Sequence, residues 1–125
     1  MDLSPHHVGI IVSDLARSKS FYGALGFDTV DEREMEDKTL TFMRLGALQV
    51  ELFAYREPVP AAGAPDRALG FRHLAFETPD IDAAYAELRA ADIIGPDTAI
   101  RELPGGWRLL FFNDPDGVEI EIKQA

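Results

Sequence analysis

The sequence predicts an α+β fold made of two tandem βαβββ modules. Three observations carry this. A histidine followed by a short alternating apolar run opens a strand twice, at His7 (His-Val-Gly-Ile-Ile-Val) and at His73 (His-Leu-Ala-Phe). A glutamate flanked by aliphatics closes the last strand of each half, at Glu51 (Val-Glu-Leu-Phe) and Glu121 (Ile-Glu-Ile). An aspartate, Asp14 or Asp80, follows each histidine by seven residues at the start of a helical pattern. The histidine-to-glutamate spacings are 44 and 48 residues, and the repeat period is 66. Self-similarity at a fixed period marks duplicated structural units.

In the first half, Val8, Ile10 and Val12 alternate with His7, Gly9 and Ile11, which is the period of a strand. The aliphatic set suits packing on a helix. His7 and Gly9 take the other face, where the glycine leaves room beside the histidine. Ser13 or Asp14 then caps a helix. Leu15, Ser18, Phe21, Tyr22 and Leu25 form one stripe at helical spacing. Gly26 ends the helix in the position that favours left-handed dihedrals. Strands are predicted over 27–30, 39–45 and 48–53, with a charged turn or hairpin over 31–37 and a joint at Gly46.

Residues 58–70 are rich in proline, alanine and glycine and read as the linker between a first module (about 5–57) and a second (about 71–124). Both belong to one domain spanning 1–125. The pattern then restarts. Thr78 as cap and Pro79 at the first helical position are the start signal for a second helix. Ile81, Ala84, Tyr85 and Leu88 supply its apolar stripe. Strands follow near 97–101, 107–113 and 118–123, with turns at Gly105-Gly106 and Asp114-Pro115-Asp116-Gly117.

Composition narrows the function. A chain of 125 residues buries enough surface to fold without staples. Cysteine is absent, which excludes disulfides, thiolate ligands and a cysteine nucleophile. A net charge of −10 repels nucleic acid and anionic membranes, so neither is an expected partner. No apolar run approaches the roughly 20 residues of a membrane helix, and the N-terminus lacks a signal-peptide pattern. The expected location is the cytoplasm.

Strand parity groups the candidate ligands. Val50 and Leu52 point toward the helix, so Glu51 points away with Gln49 and Phe53. Ile120 and Ile122 do the same, which turns Glu121 away with Glu119 and Lys123. His7, Glu51, His73 and Glu121 thus all avoid the helix-packed core. Two neutral imidazoles and two carboxylates suit a borderline divalent ion such as Zn, Ni, Co, Mn or Fe(II). A lone histidine or glutamate on a strand is usually structural or wet; the matched pair in each half is the argument for a metal. His6 has the opposite parity and reads as structural or exposed. Glu119 is an alternate ligand or a solvated rim residue. Arg44, Arg72, Arg101 and Arg108 are surface charges or anion contacts. Trp107, Phe53, Phe112 and Met43 line a pocket or fill the core. No phosphate loop, nucleophile elbow or Ser/His/Asp set is visible.

These residues resemble the vicinal oxygen chelate superfamily, which includes glyoxalase I, methylmalonyl-CoA epimerase, extradiol dioxygenases and antibiotic-resistance proteins. The resemblance spans nearly the whole chain. The run from His7 to Phe27 is similar to the family's opening motif. Phe-Phe-Asn-Asp-Pro-Asp-Gly-Val-Glu-Ile-Glu (111–121) is similar to its closing one, which makes Glu121, not Glu119, the matching ligand. The resemblance implies an open, cup-shaped mixed sheet with helices outside, often assembled as a homodimer. The His, Glu, His, Glu set at 7, 51, 73 and 121 is that of bacterial glyoxalase I. The epimerase usually has glutamine at the second position. Dioxygenases and fosfomycin enzymes use two histidines and one glutamate, and bleomycin-binding proteins lack the metal set. The nearest likeness is to short bacterial lactoylglutathione-lyase-like proteins.

The implied chemistry is proton transfer through a metal-bound enediolate, on a small-molecule substrate with adjacent oxygens such as the thiol hemithioacetal of an α-ketoaldehyde. Glu121 is the implied base and Glu51 the second candidate. Other implied activities are epimerisation and non-catalytic binding of an antibiotic-like small molecule. The chain departs from glyoxalase I at two places. Ile11 stands where an arginine helps bind glutathione, and Tyr55 where an asparagine assists.

Overall fold

The computed structural model describes residues 1–61 and 69–125, so most of the predicted linker, at 62–68, lies outside the described residues. The chain divides into two compact units, Met1–Ala62 and Gly63–Ala125. The first holds β1 (Val8–Ile11), α1 (Leu15–Ala24), β2 (Asp28–Glu34), β3 (Lys38–Leu45) and β4 (Leu48–Tyr55). The second holds β5 (Leu74–Thr78), α2 (Ile81–Ala90), β6 (Arg101–Leu103), β7 (Trp107–Asn113) and β8 (Glu119–Gln124). The sheet orders are β1-β4-β3-β2 and β5-β8-β7-β6, one topology used twice. In each unit the first strand pairs parallel with the last, and the remaining pairs are antiparallel. The fold is α+β, as the repeat predicts.

The helices begin and end by the same chemistry. Asp14 caps α1 by accepting from the Arg17 N–H at 3.0 Å, and Asp80 caps α2 by accepting from the Ala83 N–H at 3.0 Å. This corrects the expected Thr78 cap and Pro79 start. Thr78 ends β5, and its hydroxyl takes the Asp80 N–H at 3.3 Å, which leaves Pro79 ahead of the cap. Each helix closes with paired bonds back into its last turn. In α1, Gly26 bonds to Gly23 O and Phe27 to Tyr22 O, both at 3.0 Å. In α2, Asp92 bonds to Arg89 O at 3.2 Å and Ile93 to Leu88 O at 3.0 Å. Gly26 takes φ +104°, and Asp92 makes the matching turn at φ 55°.

Each unit packs its helix on one face of its sheet. In the first, Ser18, Tyr22, Phe27, Ile10, Val50, Leu52, Thr41 and Met43 are buried. In the second, Ile81, Leu88, Leu74, Leu110, Phe112, Ile120 and Ile122 are buried. Met43 and Phe112 are therefore core, while Trp107 is exposed.

Two strands differ from their predicted bounds. The charged stretch 31–37 is not all turn, because β2 continues to Glu34 with a register shift between Thr29 and Asp31. It is an exposed edge strand, so its charges cost no burial and blunt further pairing. Glu32 is also held, by Thr41 Oγ1 and Lys19 Nζ, each at 2.8 Å. Conversely, β6 begins only at Arg101. The preceding residues fold back toward the helix, where the Tyr85 hydroxyl donates to Thr98 O at 3.0 Å and Thr98 N–H donates to Gly95 O at 3.2 Å.

Candidate metal centre

In the first unit, Val8 lies beside Val50 and Ile10 beside Leu52 in the parallel β1–β4 ladder. These pairs face the helix. Gly9 and Glu51 are partners on the opposite face, where Phe42 of β3 also pairs with Glu51. His7 stands one residue ahead of β1 on this face. Its Nε2 lies 2.8 Å from Glu51 Oε2. The Glu51 side chain is only 11% exposed, against 34% for His7. A carboxylate so covered needs a partner to offset its desolvation. The His7 ring packs edge-on against Phe42, with centroids 5.4 Å apart.

The second unit repeats this arrangement. Leu74, Ala75 and Phe76 pair with Ile120, Glu121 and Ile122, and Phe111 pairs with Glu121 from the other side. His73 Nε2 lies 2.9 Å from Glu121 Oε2, with side-chain exposures of 27% and 14%. The His73 ring tilts over Phe111 at 5.9 Å. All four predicted ligands thus lie off the helix-packed faces, in two His–carboxylate pairs. Among the described residues, no group of three or more His, Cys, Asp or Glu side chains stands in a metal-holding arrangement. The structure brings together each pair by itself.

Some neighbours differ from expectation. Gly9 makes room for an aromatic ring and not for the histidine: a Cβ there would come within 3.1 Å of Phe53 Cε2. His6 is exposed, and its Nδ1 lies 2.7 Å from Nδ1 of His7. Glu119 is more than a rim residue, since its Oε1 lies 3.3 Å from His73 Nδ1 and 3.7 Å from Arg72 Nη2. Strand parity placed Glu119 on the correct face but carried no sign of this contact. Of the arginines, Arg108 is taken up by a bidentate bond to Asp82 at 2.7 and 3.0 Å. That bond holds the Asp82 carboxyl below its ordinary range and the Arg108 guanidinium above its own. Arg101 lies over the Phe111 ring at 5.4 Å. Lys123 lies over Trp107 at 5.1 Å. On the first unit, Ile11 is exposed beside Phe53, whose ring stacks on Tyr55 at 6.4 Å.

The donor types fit a divalent metal. Each half presents one imidazole nitrogen and one carboxylate oxygen within 3 Å of each other, partly shielded and off the hydrophobic core. Comparison with known proteins agrees with this fold. Residues 4–122 match the model of the Glyoxalase/Bleomycin resistance protein/Dioxygenase superfamily, and the chain belongs to that superfamily. The uncharacterised YaeR of Escherichia coli (strain K12) is 39% identical over 127 residues, covering 95% of this chain and 94% of YaeR. A 2-epi-5-epi-valiolone epimerase of Actinomyces sp. is 31% identical, covering 94% of this chain and 76% of the epimerase. The crystal structure of a glyoxalase family protein from Enterococcus faecalis superposes with a TM-score of 0.83 at 31% identity, covering 97% of each chain.

Proposed function

We propose that this protein is a metal-dependent enzyme of the glyoxalase I type, moving a proton between carbons beside a carbonyl in the thiol hemithioacetal of an α-ketoaldehyde. The observation that carries this is the duplicated His–carboxylate pair, His7 with Glu51 and His73 with Glu121. Together the pairs would hold one divalent ion, with Zn, Ni or Co favoured by the nitrogen and oxygen donors and Mn or Fe also suited. The two pairs come from one chain or from two copies in a homodimer; either way there is one ion per chain. The bound ion supplies Lewis acidity, polarising the substrate carbonyl and stabilising the charge that proton loss creates.

The remaining work falls to the protein. Glu121 takes the proton next to the carbonyl and returns it to the neighbouring carbon, with Glu51 as the second candidate. General base action of this kind contributes about 10²–10⁴-fold. His7 and His73 stand beside the two carboxylates, where each Nε2 would join its glutamate oxygen in holding the ion. The low exposure of both glutamates limits water at the base. Ile11 stands where an arginine helps glyoxalase I enzymes bind glutathione, so a thiol other than glutathione is favoured.

A second reading, epimerisation beside a carbonyl, is favoured by the similarity to the Actinomyces epimerase. It uses the same residues on a different substrate. The test is methylglyoxal turnover with glutathione and with other thiols, for wild type and for Glu121→Gln. Glu121→Gln is expected to keep its metal and lose turnover by at least about 10²-fold. Unchanged turnover would remove Glu121 as the base. Absence of turnover with every thiol, but exchange of a substrate α-proton for deuterium, would move the assignment to the epimerase reading.

A further inference from the structure

The two half-sites are not equivalent, and the difference lies behind the histidines. In the first, the residue two before the ligand glutamate is Gln49, and His7 Nδ1 faces His6. In the second, the corresponding residue is Glu119, and its Oε1 faces His73 Nδ1 at 3.3 Å. Arg72 Nη2 approaches the same oxygen at 3.7 Å. The parallel β5–β8 register produces this: Leu74 pairs with Ile120, so the residue before each, His73 and Glu119, lie side by side on the site face. Glu119 is partly covered, with its side chain 30% exposed.

A neutral imidazole has one N–H and one lone pair. The partner of the far nitrogen decides which nitrogen is free to bind a metal. His73 directs Nε2 toward Glu121. We propose that Glu119 is a positioning residue for the metal. It accepts a hydrogen bond from Nδ1–H of His73 and so holds the ring in the tautomer and angle that aim the Nε2 lone pair at the ion. Arg72 Nη2, 3.7 Å from the same oxygen, adds a favourable charge beside the Glu119 carboxylate. A carboxylate behind a ligand histidine also strengthens the ligand, and removing such a partner costs about 10–100-fold in metal affinity. His7 has another imidazole behind it instead, so the second half-site is the more firmly held of the two.

This inference rests on the proposed metal centre, and the experiment separates the two. Zn(II) binding to the purified full chain is measured by calorimetry for wild type, Glu119→Ala and Glu119→Gln. In the Zn-loaded proteins, the exchange of the His73 Nδ1 proton with water is followed by ¹⁵N-edited NMR. The expected result is affinity lower by about 10–100-fold in Glu119→Ala, with a rapidly exchanging Nδ1 proton. Glu119→Gln, whose amide oxygen still accepts, recovers most of the affinity and protects the proton. Wild-type affinity in Glu119→Ala overturns the positioning role and leaves the metal centre standing. Equal loss in both variants, with the proton protected in both, also overturns it by making Glu119 a direct ligand. A wild type that takes up no Zn(II) overturns both readings together.

Discussion

Asp114→Ala is expected to destabilise the protein by about 2–4 kcal/mol, from two lost bonds to a carboxylate of which one donor regains water. Asp114 is 5% exposed and sits in the turn that launches β8, the strand carrying both Glu119 and Glu121. Its Oδ1 accepts from Asp116 N–H at 2.9 Å and from Val118 N–H at 2.8 Å. Its backbone closes the same turn, with Asp114 N–H donating to Val118 O at 2.8 Å and Gly117 N–H donating to Asp114 O at 3.1 Å. Hydrogen bonds to a charged acceptor are worth about 1.5–3 kcal/mol each. Alanine removes both side-chain bonds and leaves two amides to find other partners. Asp116 is exposed, so its amide recovers water; Val118 is half-buried, so its amide recovers less. Asp114→Asn keeps an acceptor oxygen without the charge and should fall between wild type and Asp114→Ala. The assay is urea denaturation followed by far-UV circular dichroism, with the slope compared between variants so that a shifted midpoint reads as stability. Asp114→Ala within about 0.5 kcal/mol of wild type would show that these bonds do not stabilise the turn, since surface changes scatter by that much. An asparagine variant as unstable as the alanine one would contradict the expected order.

Two further perturbations follow from groups away from the site. Ser18 Oγ is fully buried with no hydrogen-bond partner among the described residues, so Ser18→Ala should be neutral or stabilising, by up to about 1 kcal/mol, in the same urea assay; a loss of that size would mean the hydroxyl is satisfied. The Arg108 bond depresses the Asp82 pKa, so its contribution is fully present above the unfolded value of about 3.9 and is lost as pH falls through the lower folded value. Asp82→Asn should therefore melt below wild type at neutral pH, and the two melting temperatures should converge in the acid range below about pH 4; a gap independent of pH would contradict this.

Much of the fold and the face of every candidate ligand were legible because period 2 acts within a strand. Val50 and Leu52 fix where Glu51 points, and Ile120 and Ile122 do the same for Glu121, without any knowledge of neighbouring strands. Asp14 and Asp80 were legible as helix starts through the repeat, whereas Thr78-Pro79 was a competing local signal that the strand-end geometry overrode. The extent of β2 was hidden because an edge strand has no buried face to impose a pattern on its charges. The Glu119–His73 contact was hidden for a different reason. It arises from cross-strand register between residues 46 apart, and alternation along one strand carries no such register. The crowding of Gly9 by Phe53 has the same origin, across β1 and β4.

The proposed function requires one divalent ion held by His7, Glu51, His73 and Glu121. Its most direct test is metal content by mass spectrometry, on protein purified without chelator and after reconstitution with Zn(II), Ni(II) or Co(II). One ion per chain is expected in wild type, and its loss on His7→Ala alone or on His73→Ala alone, with folding retained by circular dichroism. Metal content far below one per chain after reconstitution, or a full complement surviving either histidine substitution, would contradict it.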